Sequence, residues 1–151
     1  MKIERVLAAT DFSATAEKAL DHAAEYAKHF DAEMTIVHAY QVDIPMASPL
    51  VGGPTMLPEG FFEKLGADVR SHVDKIAKKY ADQGVRTRGV AVDQAAASAI
   101  VHEAETQNAD LIVMGTRGLT GLKHVALGSV ADRVVRTASC PVLTVGDRSE
   151  D

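Results

Sequence analysis

Residues 110–130 read DLIVMGTRGLTGLKHVALGSV, and this stretch decides the fold. Its first part, Asp110-Leu111-Ile112-Val113-Met114, is an unbroken apolar run of strand length. No polar residue alternates within it, so it predicts a strand covered on both faces, as in parallel sheets packed between helices. Its second part is a loop of bare main chain. Gly115 and Gly118 leave the strand, and Gly128 and Ser129 open a segment with helical periodicity from Ser129 to Thr137. The first N–H groups of a helix have no partner within it, and the dipole is positive there. Glycine lets an anion approach such a helix start, and the serine hydroxyl adds a donor.

The same strand–helix rhythm extends in both directions. Val6-Leu7-Ala8-Ala9 predicts a buried strand that stops at Thr10-Asp11-Phe12-Ser13. Ser13 is placed to cap a helix running to about Phe30, with Ala16, Leu20, Ala23 and Ala27 at helical spacing. Met34 to Ala39 predicts a second strand. Gln41 to Gly60 carries Pro45, Pro49, Pro54, Pro58 and Gly52-Gly53, which leaves no room for a regular element. Phe62, Leu65, Val69, Val73, Ile76 and Tyr80 recur three or four apart, a stripe expected to pack in the core. Gly84 is placed to end that helix. Val85 to Val92 predicts a third strand with Gly89 as its weak point, Ala95 to Thr106 a third helix, and Pro141 to Val145 a last strand. The order β-α-β-α-β-α-β-α-β predicts an α/β fold: an open five-stranded parallel sheet with helices on both faces.

Composition limits the functions on offer. The 151 residues fit one domain, assigned here to 1–147 with a tail at 148–151. The chain has 21 acidic and 16 basic residues, a net charge of −5, which argues against nonspecific binding to nucleic acid or anionic membranes. Cys140 is the single cysteine, so no intrachain disulfide can form. No apolar run has the length of a signal peptide or a membrane span, so the expected location is the cytoplasm.

Ligands of open parallel sheets bind beyond the carboxyl ends of the strands, where strand order reverses. Two strand ends are chemically distinctive here, Thr10-Asp11 and the loop from Gly115. Around that loop Arg117, Lys123, Arg133 and Arg136 stand against Asp132 alone, a local positive excess in an acidic protein. This suits a polyphosphate ligand, although a glycine loop of this kind also serves as a tight turn, and Arg117 and Lys123 also read as solvated loop charges. GxGxxG and GxxxxGK[S/T] are both absent. His38 ends an apolar strand and reads as a satisfied strand-end histidine. His22, His29, His72, His102 and His124 are scattered singly, with no metal-ligand spacing. Cys140, before Pro141, reads as a small core residue rather than a redox thiol.

The spacing Gly115-x2-Gly118-x9-Gly128-Ser129 resembles the ATP-binding signature of the nucleotide-binding branch of the universal stress proteins. Ala9-Thr10-Asp11-Phe12-Ser13 and Cys140-Pro141-Val142-Leu143 are similar to segments of the same family, so the resemblance spans essentially the whole chain. It implies a Rossmann-like, adenine-nucleotide α-hydrolase-like sheet ordered 3-2-1-4-5. By position it places Ala9 and Asp11 beside the nucleoside, Ala39 at the adenine, and Met114 and Gly115 along ribose and base. Gly118, Gly128, Ser129 and Val130 would hold the phosphates, with Thr10, Thr116 and Arg117 completing the set. Asp11 would orient the ribose or hold magnesium of Mg-ATP. Ala9 and Ala39 stand where some members have larger residues, and Asp93-Gln94-Ala95 replaces a common Gly-x-Pro.

The resemblance further implies a homodimer through strand 141–145, whose unpaired edge would accept a second copy. The function expected is ATP binding by a regulatory dimer of the stress response that signals to an unidentified protein partner. Two alternatives stand beside it. One is slow ATP hydrolysis or self-phosphorylation at Ser129, Thr116 or Thr120, with no catalytic residue assigned. The other is an interaction module that binds no nucleotide.

Overall fold

The computed structural model describes residues 1–42, 57–118 and 127–146. Its elements are β1 (Arg5–Ala9), α1 (Ala14–Phe30), β2 (Glu33–Tyr40), α2 (Phe61–Ala81), β3 (Thr87–Asp93), α3 (Ala96–Thr106), β4 (Leu111–Gly115), α4 (Ser129–Thr137) and β5 (Val142–Val145). The strands form one parallel sheet in the order β3-β2-β1-β4-β5. From β1 the chain steps outward to β2 and β3, then crosses back to β4 on the other side of β1. The order therefore reverses between β1 and β4, which pair from Val6 opposite Leu111 to Ala8 opposite Val113.

Period-two alternation explains why the central strands are apolar throughout. Val6, Ala8, Met34, Ile36, Leu111 and Val113 face a core completed by α1 and α2. Their neighbours Leu7, Ala9, Val37, Ile112 and Met114 face a second core under α3 and α4. With both faces covered, each fully buried side chain contributes about 1.5–3 kcal/mol relative to exposure. The edge strands differ. β3 and β5 are only half-buried, and β3 keeps Arg88 and Asp93 exposed.

Ser13 caps α1 as its type predicts, its hydroxyl accepting the Ala16 N–H at 3.2 Å. Gly84 ends α2 as expected: with φ 89° it donates its N–H to the Ala81 carbonyl at 2.9 Å while Val85 N–H reaches back to the Tyr80 carbonyl at 3.2 Å, the left-handed glycine motif that closes a helix. Two other expectations need correction. The stripe on α2 is core only in its second half, where Val73, Ala77 and Tyr80 are buried. Phe62, in the first turn, is 43% exposed. Gly89 is no weak point: a Cβ there would lie 2.7 Å from Val73 Cγ1 and 3.2 Å from the Val73 main chain. The missing side chain is what lets α2 pack onto β3. Of the segment Gln41 to Gly60, residues 41–42 and 57–60 form no helix or strand, and 43–56 lie outside the described residues.

Candidate functional site

The crevice at the strand-order reversal is built from two turns. The first follows β1. Thr10 extends the ladder by donating its N–H to the Val37 carbonyl at 2.9 Å, and its own carbonyl accepts His38 Nδ1–H at 2.8 Å. Phe12 N–H donates to Thr10 Oγ1 at 3.0 Å, and Ser13 N–H donates to Asp11 Oδ1 at 2.9 Å. Short polar side chains thus fold this turn onto itself and aim Asp11 at the crevice. Phe12 has a left-handed backbone, φ 66°, which costs an L-residue about 1–2 kcal/mol. Its ring stacks on His38 at 4.1 Å and tilts against His72 at 4.3 Å, contacts of a kind worth about 0.5–1.5 kcal/mol each.

The second turn follows β4. Thr116 N–H donates to the Val145 carbonyl at 2.8 Å, and Gly128 N–H donates to the Thr116 carbonyl at 2.6 Å. The two ends of the glycine loop are therefore tied together. Residues 119–126 between them, including Thr120, Lys123 and His124, lie outside the described residues. Close approach explains the glycines. A Cβ on Gly128 would meet the Thr116 carbonyl oxygen at 3.1 Å, and one on Gly118 would meet Asp11 Oδ2 at 2.8 Å. Gly128 is the N-cap of α4 and provides no side-chain cap, so the helix start faces the crevice as bare main chain.

The two turns line one cleft. Ala9, Thr10, Asp11, Ala39, Met114, Gly115, Thr116, Arg117, Gly118, Gly128, Ser129 and Val130 all border it, so the structure brings every site residue expected from sequence together. The lining has two chemistries. Ala9, Ala39 and Met114 make an apolar end, and Asp11, Arg117 and the glycine loop make a polar end beside the start of α4. The cleft's volume is about 160 Å³. Sites that enclose a drug-sized ligand have about 300–1,000 Å³, so a nucleotide would lie partly across the rim. A larger depression of about 830 Å³ at the other end of the sheet, between Met1–Arg5, Asp31 and Arg86, is shallow and carries charges of both signs. It lacks the glycine loop and lies away from the strand reversal.

Sequence reasoning missed Ala16, Val37, Ala96, Ile100 and Ala131, which also line the cleft. Their signal was periodic. Val37 is two residues before Ala39 on the same face of β2, and Ala96 and Ile100 are one turn apart on α3. Arg117 adds a further feature. Its Nε is buried and makes no hydrogen bond, alone in that respect among the described residues. An unpaired buried N–H costs about 1–3 kcal/mol, and a guanidinium cannot escape by losing its proton.

The described histidines and Cys140 do not line the cleft. His38 is satisfied by Thr10, as expected of a strand-end histidine. Among the described residues no three His, Cys, Asp or Glu groups cluster to hold a metal. Cys140 is half-buried, and burial together with the Asp110 charge pushes its thiol up from the ordinary value, away from a reactive thiolate. No described helix is long and apolar enough to cross a membrane.

Known proteins share this architecture. A universal stress protein of Methanocaldococcus jannaschii is 39% identical over 146 residues, covering 94% of this chain and 81% of the relative. A solved hypothetical protein from the same organism superposes with a TM-score of 0.80 at 26% identity, covering 99% of this chain and all of the other. Two other solved universal stress proteins hold nucleotides. One is in complex with cAMP (TM-score 0.70, 24% identity, 97% and 98% coverage), and that of Archaeoglobus fulgidus is in complex with dAMP (0.65, 22%, 96% and 99%). The family itself matches residues 2–146. With the 3-2-1-4-5 sheet, the glycine-lined crevice at its reversal and near-complete coverage in agreement, the chain belongs to the universal stress protein family.

Proposed function

We propose that this chain binds an adenine nucleotide, ATP, in the cleft between β1 and β4, and acts as a nucleotide-dependent regulatory dimer in the stress response. The observation that carries the reading is the two-ended lining: an apolar slot for a base continuing into bare main chain at a helix start. The residues fit the group. Gly118 and Gly128 bring bare main chain to the cleft beside the start of α4, and the buried Arg117 Nε lacks the acceptor that a phosphate supplies. The base would rest on Ala9, Ala39 and Met114. The phosphates would take the amides of Gly118, Ser129 and Val130, and Asp11 would hold the ribose or an accompanying magnesium ion. Two proteins of the same fold are in complex with cAMP and dAMP, which supports an adenine nucleotide as the ligand.

Magnitudes allow a useful affinity. Three or four charge-assisted hydrogen bonds at about 1.5–3 kcal/mol each, with base burial, reach the roughly −8 kcal/mol of a micromolar ligand after ordering costs. Such binding fixes the glycine loop and alters a surface that a cytoplasmic protein partner could read. The dimer would form through β5, an edge strand whose outer side pairs with no other strand among the described residues.

Calorimetry with ATP, ADP and AMP tests the reading. Heat of binding at micromolar ATP is expected; no heat and no thermal shift at millimolar ATP would leave an interaction module instead. Thr116 and Ser129 line the same cleft, so slow phosphoryl transfer to them is the second reading. Single-turnover assays with labelled ATP separate the two. Turnover above about 1 per second, an ordinary enzyme rate, would favour the enzyme.

A further inference from the structure

Phe12 is the one aromatic residue among the described residues with a left-handed backbone. Asp31 and Asn108 share that conformation, but both follow helix ends, where it is usual. Phe12 instead lies in the turn that presents Asp11. Its ring is gripped from two elements: His38 on β2, with ring planes 28° apart, and His72 on α2, at 58°. Neither histidine borders the cleft, and Thr10 and Asp11 of the same turn do.

We propose that Phe12, clamped between His38 and His72, is a positioning residue that sets Asp11 for the nucleotide and couples the cleft to helix α2. The inference rests on the nucleotide reading above. The argument is steric. With φ positive, the Cβ of Phe12 crowds the adjoining carbonyl, so an unclamped chain returns to negative φ. That rotation swings the peptides on both sides of Phe12. The Ser13 amide then leaves Asp11 Oδ1, and the carboxylate loses that hydrogen bond beside Gly118. His38 holds the same turn a second way, through its Nδ1–H to the Thr10 carbonyl. His72 contacts the turn through its ring, from helix α2.

The test compares His72→Ala, His72→Phe, Phe12→Ala and Phe12→Gly with the parent chain. Two readouts are taken: Mg-ATP affinity by calorimetry, and hydrogen exchange of the Ser13 amide without ligand. His72→Ala is expected to speed Ser13 exchange and to weaken ATP about fivefold, the scale of one lost aromatic contact. His72→Phe restores both, because an aromatic ring replaces the clamp. Phe12→Gly keeps more affinity than Phe12→Ala, because glycine accepts positive φ without strain. A residue that only stabilises the fold would lower the melting temperature and leave the affinity unmoved. Parent-like Ser13 exchange and ATP affinity in His72→Ala would overturn the inference while leaving the nucleotide reading intact. If the parent binds no nucleotide, the nucleotide reading falls and takes with it the role in ligand positioning.

Discussion

Asp11 Oδ2 lies 2.8 Å from the point that a Cβ on Gly118 would occupy. The carboxylate at the end of β1 and the main chain after β4 are thus in direct apposition, across the line where the sheet reverses. Gly118→Ala must push the carboxylate aside while Ser13 N–H holds its other oxygen. A side-chain terminus yields more readily than main chain, so the fold should lose no more than about 1 kcal/mol. ATP affinity should fall about tenfold or more, because the methyl group fills the space needed at the phosphate end. Thermal melts and calorimetry on one preparation check both outcomes. Unchanged affinity would move the phosphates away from Gly118.

Arg117 predicts a stability gain coupled to a loss of binding. Its Nε is buried without an acceptor in the ligand-free protein. Arg117→Met removes that unpaired donor and keeps much of the stem's packing, so the apo protein should melt at the same temperature or higher. ATP binding should weaken by about tenfold, and adenosine binding should change little. Equal losses for ATP and adenosine would show that Arg117 touches no phosphate.

Tyr80 sets an alkaline limit on stability. Its side chain is buried at the α1–α2 contact and its hydroxyl donates to Asp21 Oδ1 at 2.8 Å. Burial first, then the Asp21 bond and charge, push the phenol well above its ordinary 10.0. The folded protein therefore keeps the proton at pH values where the unfolded chain loses it. This contribution is complete below pH 10 and is lost as pH rises toward the folded value, at a slope of up to about 1.4 kcal/mol per unit. Tyr80→Phe should cost about 0.5–1.5 kcal/mol at neutral pH and flatten that alkaline slope. Denaturant melts between pH 8 and 11 measure the difference; parallel curves for parent and variant would refute it.

Gly89 and Val73 should behave as a coupled pair. Gly89→Ala places a methyl group 2.7 Å from Val73 Cγ1 and 3.2 Å from its main chain, an overpacking expected to cost about 1–3 kcal/mol. Val73→Ala alone leaves a cavity. The double variant should be more stable than the sum of the two losses, by at least about 0.5 kcal/mol in a double-mutant cycle. Additive losses would mean that α2 shifts as a body instead. ATP affinity should be untouched where the repacking stays within the pair; a shift of α2 as a body would move His72, next to Val73, and weaken ATP as well.

These pairs also show what the sequence could and could not disclose. Unbroken apolar runs such as Leu111–Met114 announce a strand buried on both faces, and the glycine spacing marks where main chain lies bare. Both are local patterns. The meaning of Gly89 is not local, because the reason for the missing side chain is Val73, on another element. Phe62 misled for a related reason: helical spacing marks a stripe along all of α2, but only Val73, Ala77 and Tyr80 in its second half are buried in the core. Of the cleft, the loop residues were legible because their chemistry is unusual. Val37, Ala96, Ile100 and Ala131 were not, since an apolar residue facing a cleft and one facing a core look alike in sequence. The Phe12 clamp was invisible because a backbone dihedral leaves no mark on residue type unless glycine occupies it.

The last prediction concerns β5, whose hydrogen-bonding directions follow from its register. Ile112 N–H donates to the Pro141 carbonyl and Thr116 N–H to the Val145 carbonyl, so residues 141 and 145 turn their polar groups toward β4. By alternation Thr144 turns its N–H outward, to the side with no neighbouring strand among the described residues. Thr144→Pro deletes that donor without removing a bond to β4, a substitution edge strands tolerate. If two copies pair through this edge, the variant should stay folded by circular dichroism and elute as a monomer where the parent elutes as a dimer. A charge on a side chain would blur this test, because it could act through any nearby surface. Loss of one outward N–H acts only on a partner that uses the strand's edge. A dimeric Thr144→Pro variant would therefore place the interface elsewhere, and a monomeric parent would remove the dimer from the proposed function while leaving the nucleotide cleft, which is formed within one chain, unaffected.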